Sequence, residues 1–165
     1  MTHGQIPSDA DWRRALTRFV TVIPHTRELG LEVLVVTSEV TTMRLPWCDD
    51  LLGDTARGLV HGGVLSMLLD TVCGSAVLPA LPAPEVCPTL DLRVDHFRPG
   101  VVGRAILAEA RVVRITESVV FTEGTLWQEA GRPLARGIGN FVRLGPRHTP
   151  DGFAEALFAK ENDHA

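Results

Sequence analysis

The segment between residues 63 and 78 is apolar almost all the way round, and this limits the folds that are possible. Its length predicts an α-helix from about Gly63 to Leu78, which Pro79 and the prolines after it would end. A helix without a polar face must be covered on every side by other parts of the protein. Asp70 lies two turns into this segment, and a carboxylate among apolar side chains is costly unless another group pairs with it or a reaction uses it.

The rest of the chain predicts strands that could cover this helix. A Val- and Thr-rich stretch, Leu31 to Leu45, is typical of a strand or hairpin. Four more strand-like segments follow the helix, at Thr89–Phe97, Arg104–Ile115, Val119–Gln128 and Leu134–Val142. Short turns join them, and short connections force neighbouring strands to be antiparallel. We therefore predict an α+β fold in which an antiparallel sheet of five to six strands wraps around the apolar helix.

The chain of 165 residues predicts one domain over residues 1–165. Ser8 is a good N-cap for an N-terminal helix over about residues 8–23, which would stop near Pro24. The core is expected over about 27–145, with a loop from Pro46 to Gly58. The tail, 146–165, is predicted to be peripheral, with one amphipathic turn at Phe153, Leu157 and Phe158. The exposed edges of such a sheet need covering, which favours a homodimer.

Composition excludes several classes of protein. The net charge of −4 and the lack of a Lys/Arg cluster argue against a nucleic-acid partner. The apolar runs look too short for a bilayer and are interrupted by Asp or Ser, so we expect no membrane partner. Met1–Gln5 lacks a basic start before an apolar run, so we expect no signal peptide. Cys48, Cys73 and Cys87 lack metal-type spacing, which predicts reduced thiols in a cytoplasmic protein without a metal or redox cofactor.

The sequence His61-Gly62-Gly63 comes directly before the apolar helix. Two glycines at a helix start leave backbone N–H groups open to a ligand oxygen, at the positive end of the helix dipole. An anion-stabilising corner and a poorly solvated carboxylate are two halves of an acyl-transfer site. The pattern therefore predicts chemistry at this corner and at Asp70.

An ordered set of motifs identifies a family. Its pieces are Leu29-Gly30-Leu31, Met43-Arg44-Leu45-Pro46-Trp47, Val60-His61-Gly62-Gly63-Val64 with Leu69-Asp70 and Gly74, Pro88 to Val94 with Asp95 and Arg98-Pro99, and Arg114 to Val119. With these the chain resembles the PaaI-like acyl-CoA thioesterases of the hotdog superfamily. The resemblance implies a hotdog fold, hydrolysis of an acyl-CoA to a free acid and coenzyme A without another cofactor, and a homotetramer made of two dimers.

The resemblance also implies roles for single residues. Asp70 would activate water or attack the thioester carbonyl itself, and the N–H of Gly62, with Gly63 beside it, would polarise that carbonyl. Thr89 would position the water, and His61 is expected to position the corner. Some relatives carry an Asn six residues before the His, where this chain has Thr55.

Substrate-binding residues are expected around this site. The resemblance implies nucleotide contacts near Thr116 and Ser118, because relatives bind the coenzyme A nucleotide close to the corresponding hairpin. Met67 is a candidate to line the acyl pocket, although a Met on an apolar helix also suits plain core packing.

The spacing of Asp70 and Gly62 bears on how the site is assembled. Eight residues of helix separate them by roughly 12 Å, at about 1.5 Å per residue. One carbonyl group cannot contact both. Either the site is not built from these two groups, or one subunit of a dimer supplies Gly62 and the other supplies Asp70, which we favour.

Other interpretations of the same residues remain open. Asp70 could be a structural acid satisfied by the backbone or by Thr71, and the two glycines could form only a tight turn. The whole protein could be a non-catalytic acyl-CoA-binding module. It could also be a hotdog enoyl-CoA hydratase or dehydratase, which would use a His and an acid on a β-hydroxyacyl chain.

Overall fold

The computed structural model of the protein describes residues 7–159. Its helices are α1 (Asp9–Val22), α2 (Pro24–Glu28), α3 (Gly62–Ala80) and α4 (Phe153–Phe158). Its strands are β1 (Glu32–Val36), β2 (Thr41–Leu45), β3 (Leu52–Asp54), β4 (Leu59–Val60), β5 (Thr89–His96), β6 (Ile106–Ile115), β7 (Val119–Glu129) and β8 (Arg132–Val142). The predicted hairpin and the four later strands are all present, with ends within two residues of those predicted.

Six strands form one antiparallel sheet in the order β1-β2-β6-β7-β8-β5. The long helix α3 packs on one face of this sheet and contacts β2, β5, β6, β7 and β8. This is the predicted α+β hotdog architecture, which the structure confirms. β1 and β5 are the two edges, and β5 is largely exposed.

Glycines on the inner face of the sheet let α3 approach closely. A Cβ atom at Gly124 would lie 2.9 Å from the Cys73 sulfur, and one at Gly137 would lie 3.2 Å from both terminal carbons of Leu69. Real Cβ atoms do not tolerate the first distance without movement of a neighbour. The apolar helix therefore packs closely on the sheet at Leu69, which directly precedes Asp70.

Two predictions about α3 are wrong. The helix continues through Pro79 to Ala80, because a proline in the last turn removes only one main-chain hydrogen bond and Pro79 is buried. With 19 residues and a mean hydropathy of 1.5, α3 is also long and apolar enough to span a bilayer, contrary to the expectation from the sequence. The sheet covers this helix, so it is the core helix of the fold.

The N-terminal helix forms as predicted. Ser8 caps α1 through a capping box with Asp11, and these hydrogen bonds hold the pKa of the Asp11 carboxyl below its usual value.

Three features differ from the prediction. A short helix, α2, begins at Pro24 because proline is favoured in the first turn of a helix. The predicted loop from 46 to 58 contains a 3₁₀ turn and β3, which pairs with β4.

The third difference lies in the tail, where the expected amphipathic turn forms as α4 but packs against α1. Leu157 of α4 is buried, and Phe158 packs edge-on against Trp12 of α1, with ring centroids 4.9 Å apart. These apolar side chains cover the outer side of α1. Residues 1–6 and 160–165 lie outside the described residues. The expected absence of a signal peptide concerns Met1–Gln5 and so also lies outside them.

Candidate active site

Asp70 and Thr89 meet although 18 residues separate them in sequence. The Thr89 hydroxyl donates a hydrogen bond of 2.9 Å to Asp70 Oδ1. Asp70 is half-buried on α3, and Thr89 is exposed at the first residue of β5. Thr71 is not the partner of Asp70, since its hydroxyl donates to the Met67 carbonyl at 2.9 Å. The carboxylate is thus oriented by a neighbouring strand while remaining accessible.

A mainly apolar cavity of about 300 Å³ begins at this pair. It follows one face of α3 towards Leu78 and is closed by the loop 85–88 and by helices at the two ends of the chain. Its aromatic walls come from Phe19, Phe141 and Phe153. Asp70 therefore lies where a ligand in this cavity would present its polar end.

His61 holds the start of α3 in a fixed geometry. It is the N-cap of the helix, and its Nδ1 accepts the Gly63 N–H at 3.0 Å. The His61 N–H donates to the Leu51 carbonyl at 2.9 Å. A Cβ at Gly53 would come within 2.6 Å of His61 Cα, so β3 can press against this corner only with glycine there. These contacts are those of a positioning residue.

The two glycine amides differ in availability. Gly63 has its N–H occupied by His61, so this amide is not free for a substrate oxygen. The N–H of Gly62 donates to no acceptor among residues 7–159, and both glycines are exposed. Gly62 is therefore the open donor at the positive end of the α3 dipole.

Asp70 and Gly62 lie at opposite ends of β5. Asp70 bonds to Thr89 at its first residue, whereas a Cβ on Gly62 would have His96, the last residue, as its nearest neighbour at 3.9 Å. α3 and β5 therefore run in opposite directions. Within one copy of the chain, the carboxylate and the open amide are separated by about two turns of helix, or roughly 12 Å.

The expected substrate-binding residues lie near the cavity without lining it. The Thr116 hydroxyl is bonded to both the N–H and the carbonyl of Val119, which fixes the β6–β7 turn. Ser118 is exposed in the same turn. Arg143 donates to the Thr116 carbonyl at 3.0 Å and thereby joins this turn to the cavity wall. Met67 is half-buried one turn before Asp70.

Cys73 and Cys87 do not supply an activated nucleophile. Burial raises the pKa of Cys87, which lines the cavity, to about 11, and the nearby Glu85 adds to the effect. Burial likewise raises the pKa of Cys73 to about 11. Both are thiols at neutral pH, so Asp70 is the better placed reactive group. Among the described residues, no three His, Cys, Asp or Glu side chains are grouped to hold a metal ion.

Of the residues that line the cavity, sequence reasoning named Asp70 and Thr89 as site residues and missed the others, among them Ser75, Glu85 and Phe153. Ser75 had a usable signal, because it follows Thr71 by four residues and so shares its face of the helix. Glu85 had none, since it lies in a proline-rich loop whose path depends on the whole fold.

A larger surface depression of about 600 Å³ lies across β6, β7 and β8 on the other face of the sheet. Charged side chains line it, including the ion pair of Arg111 with Glu123, and it reaches neither Asp70 nor Gly62. Paired charges on an exposed sheet face are typical of solvated surface. The smaller cavity is therefore the better candidate site.

Comparison with known proteins gives a consistent result. Residues 57–135 match the family model of the thioesterase superfamily. A candidate esterase of Halobacterium salinarum is 35% identical over 98 residues, which are 58% of this chain and 64% of that protein, so the match spans just under two thirds of the relative's length. The medium/long-chain acyl-CoA thioesterase YigI of Escherichia coli K12 is 26% identical over 75% of this chain and 88% of its own.

Solved structures show the same fold. A Pseudomonas aeruginosa protein is 36% identical and superposes with a TM-score of 0.73 over 81% of this chain and 99% of its own. A candidate thioesterase related to phenylacetic acid degradation, from Ralstonia eutropha, is 25% identical with a TM-score of 0.68 over 79% of this chain and 98% of its own. The predicted resemblance is confirmed at the level of the superfamily and its fold.

Proposed function

Because residues 57–135 match the family model of the thioesterase superfamily, we propose that the chain hydrolyses an acyl-CoA thioester to the free acid and coenzyme A. The observation that carries the proposal is the Asp70–Thr89 hydrogen bond at the mouth of an apolar cavity. The acyl-CoA activity in the name of the YigI relative supports coenzyme A as the thiol.

The site is shared between two copies of the chain in this proposal. β5 is an unpaired sheet edge, and two copies related by a two-fold axis can pair this edge only antiparallel. An axis near the middle of β5 brings Thr89 of one copy beside His96 of the other. Asp70 is hydrogen-bonded to Thr89, and Gly62 lies beside His96. This pairing therefore supplies the carboxylate and the amide to one substrate.

The reaction then follows from these groups. The thioester carbonyl oxygen accepts the Gly62 N–H, which stabilises the negative charge that develops on that oxygen. Asp70, held by Thr89, removes a proton from a water molecule as it attacks the carbonyl carbon. The tetrahedral intermediate collapses, the carbon–sulfur bond breaks, and the departing thiolate takes from Asp70 the proton that Asp70 removed from water. Direct attack by Asp70, followed by hydrolysis of the resulting anhydride, uses the same contacts.

Several further properties belong to the same proposal. Neither route needs a cofactor beyond the coenzyme A of the substrate. The three free cysteines favour the cytoplasm. The pairing of β5 makes the minimal unit a homodimer, and two such dimers would form the expected tetramer. Ser118, exposed beside the cavity wall, is the better placed of the two expected nucleotide contacts.

A thiol-release assay with short, medium, long and aryl acyl-CoAs tests the proposal. Asp70→Asn should lower kcat at least about 100-fold, because the amide neither accepts a proton efficiently nor attacks. Asp9→Asn, the same change at an exposed position in the first turn of α1, should leave kcat within about twofold. Unchanged turnover of every acyl-CoA by Asp70→Asn would show that the chemistry lies elsewhere.

Two other outcomes would identify the remaining alternatives. Thermal stabilisation by coenzyme A, without hydrolysis of any thioester, would indicate a binding module. Hydration of crotonyl-CoA without thiol release would indicate a hydratase.

A pair of variants at Gly62 tests the amide separately. Proline is favoured at the first position of a helix, and His61 already has the extended backbone that a following proline requires, at φ −64° and ψ 131°. Gly62→Pro should therefore fold and yet lose about 100-fold or more in kcat, because it lacks the N–H. Gly62→Ala keeps the N–H and has space for its Cβ, so it should retain activity. Equal activities would contradict the role of this amide.

A further inference from the structure

The helices at the two ends of the described chain supply part of the wall of the cavity that begins at Asp70. Phe19 of α1 and Ile23, which directly follows α1, line the cavity, and so does Phe153 of α4. Asp70 lies within residues 57–135, which match the family model, whereas α1 and α4 lie outside that range. The proposed chemistry and this part of the wall therefore come from different parts of the chain.

The helices α1 and α4 pack on each other and form one unit, which we call the cap. Phe158 of α4 packs edge-on against Trp12 of α1. The Arg18 guanidinium of α1 also donates a hydrogen bond to the carbonyl of Ala159, directly after α4. Apolar and polar contacts together hold α4 on α1, so the wall that the cap supplies has a defined position.

The cap is also joined to the elements around it. Thr149, four residues before α4, accepts the N–H of Val86 at 3.1 Å, and Val86 is itself part of the cavity wall. Arg13 of α1 donates to the Val33 carbonyl of β1 at 3.3 Å. Because the cap is held from both sides, a ligand too large for the cavity would have to break these contacts to displace it.

The cavity has room for an acyl group of about ten carbons. Its volume of about 300 Å³ holds roughly ten groups the size of a water molecule, at about 30 Å³ each. The α3 residues in its wall run from Asp70 to Leu78, a span of roughly 12 Å along the helix. An extended chain advances about 1.2 Å per bond, so this length also corresponds to about ten carbons.

We propose that the cap limits the substrate to medium-chain acyl groups, and that Phe19 and Phe153 set this limit. Their rings occupy space in the wall that a longer chain would need. The wall is mainly apolar, so it favours an unsubstituted acyl group over one with a charged end. This inference rests on the proposed function, because it assumes that the acyl group enters the cavity from Asp70.

A series of saturated acyl-CoAs from butanoyl to hexadecanoyl tests the inference. The wild type should lose at least about tenfold in kcat/KM between decanoyl-CoA and tetradecanoyl-CoA, because the longer chain does not fit behind the cap. Equal values of kcat/KM for these two substrates would overturn the inference.

Two substitutions at Phe153 should shift the preferred length in opposite directions. Phe153→Ala removes the ring and should raise kcat/KM for tetradecanoyl-CoA relative to octanoyl-CoA at least about tenfold. Phe153→Trp enlarges the ring and should lower kcat/KM for decanoyl-CoA relative to hexanoyl-CoA at least about threefold. A general loss of packing would not produce opposite shifts. Folded variants with the wild-type length profile would contradict the role of Phe153.

Phe121→Ala is the matched control. Phe121 alternates on β7 with the buried Val120 and Thr122, so its ring lies on the other face of the sheet, away from the cavity. This variant should keep the wild-type length profile, and a shift as large as that of Phe153→Ala would contradict the inference. If Phe153→Ala does not fold, Phe153→Leu keeps part of the apolar contact and should shift the profile in the same direction.

Failure of this inference is distinguishable from failure of the proposed function. Hydrolysis by the wild type without discrimination between decanoyl-CoA and tetradecanoyl-CoA overturns the inference alone. If the wild type hydrolyses no acyl-CoA, the proposed function fails, and octanoyl-CoA and tetradecanoyl-CoA are compared by thermal shift. A gain in stabilisation by tetradecanoyl-CoA in Phe153→Ala, relative to octanoyl-CoA, would then support the limit set by the cap. The same ratio in the variant and the wild type would refute it.

Discussion

Asp70 is set apart from the rest of α3 by what surrounds it. The helix buries Leu68 and Leu69 completely, and the next residue turns its carboxylate to a cavity mouth and to a hydroxyl on another element. A structural acid would be enclosed and fully paired, whereas Asp70 keeps one oxygen without a bond to any described residue. This arrangement supports the catalytic role that we propose for Asp70.

Variants of Thr89 test this orientation. Thr89→Val keeps the shape of the side chain but removes the donor to Asp70, so kcat should fall about 10- to 100-fold while KM changes little. Thr89→Ser keeps the hydroxyl and should restore most of kcat. A Thr89→Val variant with the wild-type kcat would mean that the hydrogen bond has no part in turnover.

At the scale of elements, the apolar helix and its glycine corner were predictable because they are local. Ser8 predicts the start of α1, and the His61-Gly62-Gly63 sequence predicts the start of α3. Asp70 and Thr89 were predicted individually, but their hydrogen bond depends on where β5 is placed against α3. Pro79 was misjudged because packing stabilises the last turn of α3, and Glu85 was missed because tertiary structure alone sets the path of its loop.

The tight packing on the inner face of the sheet is testable at Gly139. A Cβ there would lie 2.8 Å from a ring carbon of Phe141 and 2.9 Å from the Thr122 hydroxyl, both in buried side chains. Gly139→Ala should therefore lower the free energy of unfolding by about 1–3 kcal/mol in urea denaturation. Gly62→Ala has open space for its Cβ and serves as the control. Equal stability of both variants with the wild type would show that the side chains of Phe141 and Thr122 can shift without cost.

At the scale of the whole molecule, the described chain leaves an edge strand unpaired and apolar groups in water. Leu90 on β5 is 60% exposed, and Phe97 just after this strand is 50% exposed. An edge of this kind invites pairing with another chain. In the function we propose, such pairing brings Asp70 at one end of β5 to Gly62 at the other end of the partner strand.

A charge on the β5 edge should prevent this pairing. Leu90→Lys should shift the protein towards monomer in sedimentation velocity and lower thioesterase activity in parallel, because a lysine on an edge strand would have to leave water to enter the interface. Val35→Lys places the same charge on β1, the other sheet edge, and should leave the β5 dimer and its activity intact. A fully active Leu90→Lys monomer would contradict the shared site.

Mixing two inactive variants tests the shared site most directly. Co-expressed Asp70→Asn and Gly62→Pro chains form mixed dimers in which one of the two sites receives both defects and the other receives an intact Asp70 and an intact Gly62. With random pairing, half of the dimers are mixed, so the account predicts about a quarter of the wild-type activity from two chains that are each inactive alone. Activity that stays at the level of the separate variants would place the carboxylate and the amide of each site in one chain, and would contradict the account.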